Sequence, residues 1–187
     1  LAAGSTERPD AAAEYQDRLF LNDGHGRFRV ASDALPTFTT STMAVASADI
    51  DADGDLDLFV GGRNIPGAYP AAPPSHVLIN AGGRFTEESK QWLGELVRPG
   101  MITDARFVDV DGDARAELVL SGEWMPLTIW RNTGRSFEDI TASSLNDSLT
   151  GWWFHVHPAD LDGDGDMDLV AGNLGLNNKF HPSLERP

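Results

Sequence analysis

The chain has 187 residues, 41% hydrophobic and 23% charged, with a formal charge of −15 and no cysteine. That balance suits a folded unit with its own core and excludes wholesale disorder. An acidic chain without a basic cluster is a poor partner for nucleic acid or an anionic membrane surface, a disulfide framework is absent, and no run approaches the roughly 20 apolar residues of a membrane span.

Residues 1–16 read as a lead-in without a charged segment running into an apolar one, and the start at Leu1 suits a mature or excised segment. From there a repeat unit emerges, entered halfway through. Residues 17–31 hold the strand Arg18–Leu21, an Asn22-Asp-Gly-His-Gly turn and Phe28 opening a second strand. The same pattern returns in His76–Phe85 around Asn80 and in Thr128–Phe137 around Asn132. Asn followed by Gly supplies the positive φ that tight hairpins need. A whole unit spans 43–90: a strand, an acidic loop, the strand Leu56–Val60, a long Pro66–Pro74 connection, then the hairpin. Residues 89–97 predict a short helical turn. A second unit spans 101–142, the front half of another spans 152–181, and 182–187 form a tail.

The acidic loops are the most informative feature. Asp49, Asp51, Asp53, Asp55 and Asp57 form the first. Asp109, Asp111, Asp113 and Glu117 form the second, with Arg115 at the seventh position. Asp160, Asp162, Asp164, Asp166 and Asp168 form the third. A lone Asp-Gly cluster is usually a solvated turn, but here carboxylates recur at positions 1, 3, 5 and 9 of three nine-residue loops. At roughly 5 Å and an effective dielectric of about 20, each like-charge pair repels by about 3 kcal/mol, so such crowding calls for a counter-ion. Oxygen donors at these positions, with the position-7 carbonyls of Asp55, Arg115 and Asp166, suit calcium, which takes six to eight oxygens. Up to three ions are expected, reducing the formal charge to −9. The second loop departs at Ala114, where glycine is expected, and at Glu117. An EF-hand is excluded because position 12 is Val60, Leu120 or Ala171, each in an apolar strand-like run.

The first aspartates stand 60 and 51 residues apart. Four antiparallel strands per unit at that period predict an all-β fold of β-propeller blades, about three blades' worth. The runs Leu56–Gly62, Met167–Asn173 and Leu19–Phe28 resemble FG-GAP/VCBS-type repeats, the calcium-binding blades of integrin α-subunits and many secreted bacterial proteins. Gly151–His155 with the third loop and Gly172–Phe180 resembles secreted bacterial repeat proteins, some related to cartilage acidic protein. The resemblance covers about 17–181 and implies propellers of six to eight blades, so this chain is expected to be a fragment of a larger ring or a self-associating piece.

No Gly-x-Ser-x-Gly elbow, His-Glu-x-x-His pair, phosphate loop or cysteine nucleophile is present. His155 and His157 alternate on a strand and are weighed as metal ligands against ordinary hydrogen-bonded histidines. Trp92, Trp124, Trp130, Trp152 and Trp153 are weighed as a sugar groove against blade-interface packing. Gly122–Pro126 is expected to be an exposed loop where propeller ligands bind. The expected function is a non-enzymatic extracellular, cell-surface or periplasmic module that binds a protein or glycan, with structural calcium. The alternative is the propeller scaffold of a secreted polysaccharide lyase or hydrolase, which 14 basic residues and two tyrosines supply sparsely.

Overall fold

A computed structural model describes residues 15–94, 97–146 and 150–175. The lead-in over 1–14, the end of the expected last unit at 176–181 and the tail 182–187 lie outside the described residues.

Each repeat unit forms a four-stranded antiparallel blade. β3 (Ser41–Ala48), β4 (Asp57–Asn64), β5 (His76–Ala81) and β6 (Arg84–Glu87) pair in that order. β7 (Met101–Val108), β8 (Glu117–Met125), β9 (Thr128–Asn132) and β10 (Phe137–Asp139) repeat the arrangement. Two half blades flank them. β1 (Phe20–Asn22) and β2 (Phe28–Val30) are a third-and-fourth-strand hairpin, while β11 (Gly151–Ala159) and β12 (Asp168–Asn173) are a first-and-second-strand hairpin. The all-β propeller-blade architecture read from the repeat period is the one observed.

Alternation along the strands places alternate side chains on opposite faces, and the second blade packs on a neighbouring unit through each of its two faces. Phe59 and Val77 of the first blade meet Ile102, Leu118 and Leu120 of the second in one buried cluster with Trp92 and Trp130. On the far face of the second blade, Val119 and Ile129 meet Val156 of β11. The paired glycines after Val60 follow from this closeness. A Cβ at Gly61 would lie 2.6 Å from Ile102 Cγ2, and one at Gly62 would lie 2.2 Å from the Pro74 carbonyl.

Three local devices recur. Each inner strand has a bulge six residues before its acidic loop, at Met43, Thr103 and Phe154, which bends the strand and strengthens its twist. After the outer strand of each whole blade comes a short helix, α1 (Ser89–Leu93) or α2 (Thr141–Ser144). The first hydroxyl of each helix accepts a third-strand amide: Ser89 Oγ from Val77 at 2.8 Å and Thr141 Oγ1 from Ile129 at 3.0 Å. α1 lies within the stretch predicted to make a helical turn.

Gly122–Pro126 is not an exposed loop. Gly122, Glu123 and Met125 are buried in β8, and only Pro126 and Leu127 separate it from β9. The strand continues because the next blade supplies a partner: Gly151 stands opposite Met125 and Trp152 opposite Glu123.

His76 adds a pH-sensitive contact to the first blade. It stacks on Phe38 with ring centroids 4.3 Å apart, and its Nε2 lies 2.9 Å from Thr40 Oγ1. Burial pushes its pKa below the ordinary 6.5, only partly opposed by the Glu87 carboxylate, 3.5 Å from Nδ1. A depressed folded-state value means the unfolded chain takes up the proton first. This contribution is therefore full above pH 6.5 and is lost as pH falls through the folded value. Denaturant melts across that range should show a steeper loss of stability for the wild type than for His76→Gln.

Candidate metal centres

The three acidic loops connect first to second strands at one end of the blades, and their hydrogen bonds repeat closely, the first loop differing in one amide donor to its first aspartate. The first aspartate accepts two loop amides: Asp49 those of Asp53 and Gly54, Asp109 those of Gly112 and Ala114, Asp160 those of Gly163 and Gly165. The third and fifth positions each accept the amide two residues on, as Asp51 does from Asp53 and Asp53 from Asp55. The ninth folds back on the second-position amide: Asp57 on Ile50 at 2.8 Å, Glu117 on Val110 at 3.1 Å, Asp168 on Leu161 at 2.9 Å.

This wrapping demands left-handed backbone at two positions rather than one. Position 4 has φ of 63°, 76° and 80° at Ala52, Gly112 and Gly163, and position 6 has 98°, 68° and 99° at Gly54, Ala114 and Gly165. Sequence reading singles out position 6 alone. An L-residue in this region costs roughly 1–2 kcal/mol relative to glycine. Because glycine also loses more conformational entropy on folding, Ala52→Gly and Ala114→Gly should each stabilise the chain by about 1 kcal/mol at most. Chemical denaturation of the two variants checks this.

The loops gather carboxylate oxygens within 4.8 Å of one another in three groups: Asp49, Asp51 and Asp53; Asp109, Asp111 and Glu117; Asp160, Asp162 and Asp168. Each group holds three of the four carboxylates expected to converge. Asp113 and Asp164 stand outside theirs. Asp57 is also outside, because its second oxygen accepts the Asn80 amide at 2.8 Å. The seventh residues sit at the rim: Asp55 Oδ2 accepts the Gly82 amide at 2.8 Å, the Arg115 guanidinium lies beside the Gly134 turn, and Asp166 is exposed.

The electrostatics mark the crowding. Burial raises the pKa of Asp57 and of Glu117 above the ordinary carboxylate range, against the lowering effect of backbone amides, and neighbouring loop aspartates add to the rise. Asp166 is raised first by the charge of Asp164. The second loop supplies a direct test of whether a cation fits. Glu117 is fully buried and its Oε2 accepts the Val110 amide; the Asn132 amide also favours the charged form, yet Oε1 has no partner at ordinary hydrogen-bond geometry. A buried carboxylate oxygen without a donor is costly, and the Glu117 carboxylate also brings an oxygen within 4.8 Å of Asp109 and Asp111 oxygens. An all-oxygen, anionic donor set of this kind fits a hard divalent cation.

Two contributors escape sequence reading. The Asn residues of the hairpins do more than turn the chain: in the first blade the Asn80 amide holds Asp57, while Asn80 Nδ2 donates to the Leu56 carbonyl at 3.1 Å. Their threefold recurrence beside the loops was the available signal. Arg131 reaches Asp111 Oδ2 at 3.4 Å, a nonlocal contact that no spacing reveals.

The other candidates separate. Trp92 and Trp130 are core residues, 2% and 3% exposed, and Trp92 packs on Phe137 at 5.5 Å. His155 and His157 are exposed, and neither joins a group of three potential ligands among the described residues. His155 instead lies 3.5 Å from Asp104. At the end of the blades away from the acidic loops, Trp124 packs on Trp152 at 5.2 Å and donates through Nε1 to Tyr69 Oη at 2.6 Å. Tyr69 Oη donates in turn to Glu123, which pairs with Arg63. Trp153 opens the register shift in β11, opposite Asn173.

Comparison with family models matches an FG-GAP-like repeat at residues 8–60 and 109–171, windows that contain all three acidic loops. No curated protein matches the chain. With most of its length matched and its blades built to the repeat's pattern, the chain belongs to the FG-GAP-like repeat family.

Proposed function

We propose that this chain is a calcium-stabilised propeller segment, acting outside the cytosol as a binding module for a protein or glycan, with calcium in a structural role. The observation that carries the calcium reading is the repeated acidic wrap, above all the buried Glu117 Oε1 left without a donor. Calcium accepts carboxylate and carbonyl oxygens in flexible numbers, and modest sites of this kind fill at about 0.1–1 mM free ion, a level found outside the cytosol. That is the ground for an extracellular, cell-surface or periplasmic setting.

The binding reading rests on the opposite end of the blades. Tyr69 is 52% and Phe154 39% exposed, beside the half-exposed Trp124 and Trp152, so aromatic groups from three successive units meet on one surface. Trp124 holds φ of 57°, a costly conformation for a bulky residue and one found most often where function requires it. Aromatic rings with a polar edge are favoured in binding surfaces. A glycan and extracellular-protein array, run in calcium and again in EDTA, tests the reading. Calcium-dependent capture that Tyr69→Ala abolishes is expected; silence on every target removes the binding role.

A further inference from the structure

One buried side chain of the second blade reaches into the acidic loop of the first. Asn132, 4% exposed at the end of β9, donates through Nδ2 to the Ile50 carbonyl at 3.0 Å. Ile50 lies between Asp49 and Asp51, two of the three residues that gather oxygens in the first loop, and Asp57 holds its amide at 2.8 Å. Asn132 also touches the second loop. Its backbone amide acts on the Glu117 carboxylate, as the Asn80 amide acts on Asp57 in the first blade. Its Oδ1 accepts the Gly134 amide at 2.8 Å, which fixes the side chain between the two loops. We propose that Asn132 is a positioning residue shared by two ion sites, so that filling the second loop with calcium tightens the first, and the reverse. This inference rests on the calcium reading above and adds to it a link between sites.

The neighbours of Asn132 reinforce the bridge. Arg131, one residue earlier on β9, reaches Asp111 Oδ2 at 3.4 Å. Trp130, two residues earlier, and Phe137, opposite Asn132 on β10, belong to the same buried cluster as Ile50, which is 1% exposed. Ile50 is therefore tied to the second blade by its carbonyl and by its side chain, while its amide is tied to Asp57 in its own loop. A shift of this strand end is felt at both loops.

Neutralising the second loop relieves the repulsion among Asp109, Asp111 and Glu117 and fixes the strand end that carries Asn132. The Ile50 peptide is then held in its wrapped form before the first loop is filled, and the ordering cost of binding there falls. Linkage between binding free energies is reciprocal, and couplings of this kind are typically about five- to 150-fold in affinity. Asn132 makes no hydrogen bond to the third loop among the described residues, so that loop serves as an internal reference.

Calcium titration of the whole isotope-labelled chain, followed by NMR, reads each site separately, because the amides of Gly54, Gly112 and Gly165 each bond the first aspartate of a different loop. Asp109→Asn/Asp111→Asn should weaken the first site at least about fivefold and leave the third unchanged. Asn132→Ser keeps an oxygen for the Gly134 amide but loses the donor to Ile50. In that background the same two substitutions should no longer weaken the first site, whereas a merely structural asparagine would lower first-site affinity and leave the dependence in place. The comparison made with Asn132 intact decides by itself whether the sites are linked, whether or not Asn132→Ser folds. A first site indifferent to the second loop, equal weakening of the first and third sites, or a dependence that persists in Asn132→Ser overturns the proposal and leaves the calcium reading standing. Loop amides that never move with calcium overturn both.

Discussion

In saturating calcium the chain should unfold about 15–30 °C higher than in EDTA. Each loop holds carboxylate oxygens within 4.8 Å of one another, and Asp57 and Glu117 are already raised by burial and by their neighbours. An ion bound only by the folded state adds about 2.7 kcal/mol per site at a hundredfold excess over its dissociation constant. Three sites give about 8 kcal/mol, and a chain of this size gains roughly 2–4 °C per kcal/mol. Calorimetric scans measure the difference directly. Magnesium should produce a much smaller rise, because it demands octahedral geometry and gives up its water reluctantly. Asp109→Asn/Asp111→Asn should remove about a third of the calcium effect and leave the EDTA scan unchanged or slightly improved, since two repelling charges are gone.

Arg63→Ala should cost about 3–5 kcal/mol. Arg63 lies on β4 and Glu123 on β8, so their ion pair joins the first blade to the second. Glu123 is 2% exposed, with one oxygen on Arg63 and the other on Tyr69 Oη at 3.1 Å. Removing the guanidinium leaves a buried carboxylate with one neutral donor, and the desolvation penalty goes uncompensated. Partial burial of Tyr69, with the Glu123 charge adding, raises its pKa, so that hydroxyl stays protonated and cannot replace the lost cation. Arg63→Met/Glu123→Leu should lose far less than Arg63→Ala alone, because an apolar pair needs no charge balance. Denaturant melts of Arg63→Met, Glu123→Leu and the double variant form the cycle that isolates the pair.

Much of the fold is legible because the chain repeats itself. Asp49, Asp109 and Asp160 mark the units, and Asn22, Asn80 and Asn132 mark the hairpins at a constant place within them. The elements that depend on one unit meeting another are not legible. Gly122-Glu-Trp-Met-Pro126 reads as a loop because glycine and proline bracket it, yet β8 continues through Met125 because Gly151 pairs with it from the next blade. The bulges at Met43, Thr103 and Phe154 carry no shared residue type, so only backbone pairing reveals their common position. At the loops, the carboxylate positions are plain in the sequence. What is hidden is that Asp57 satisfies both its oxygens with amides, whereas the longer Glu117 leaves Oε1 without a hydrogen bond of ordinary geometry although the Asn132 amide acts on the carboxylate. That difference arises in the third strand, more than a dozen residues away in each case.

Calorimetric titration of the EDTA-stripped, dialysed chain with calcium tests the account most directly. Three ions per chain are predicted for the wild type, and two for Asp109→Asn/Asp111→Asn. Titration without binding heat, confirmed by an unchanged melting curve, would make the three loops acidic turns and contradict the claim that cations hold these blades together.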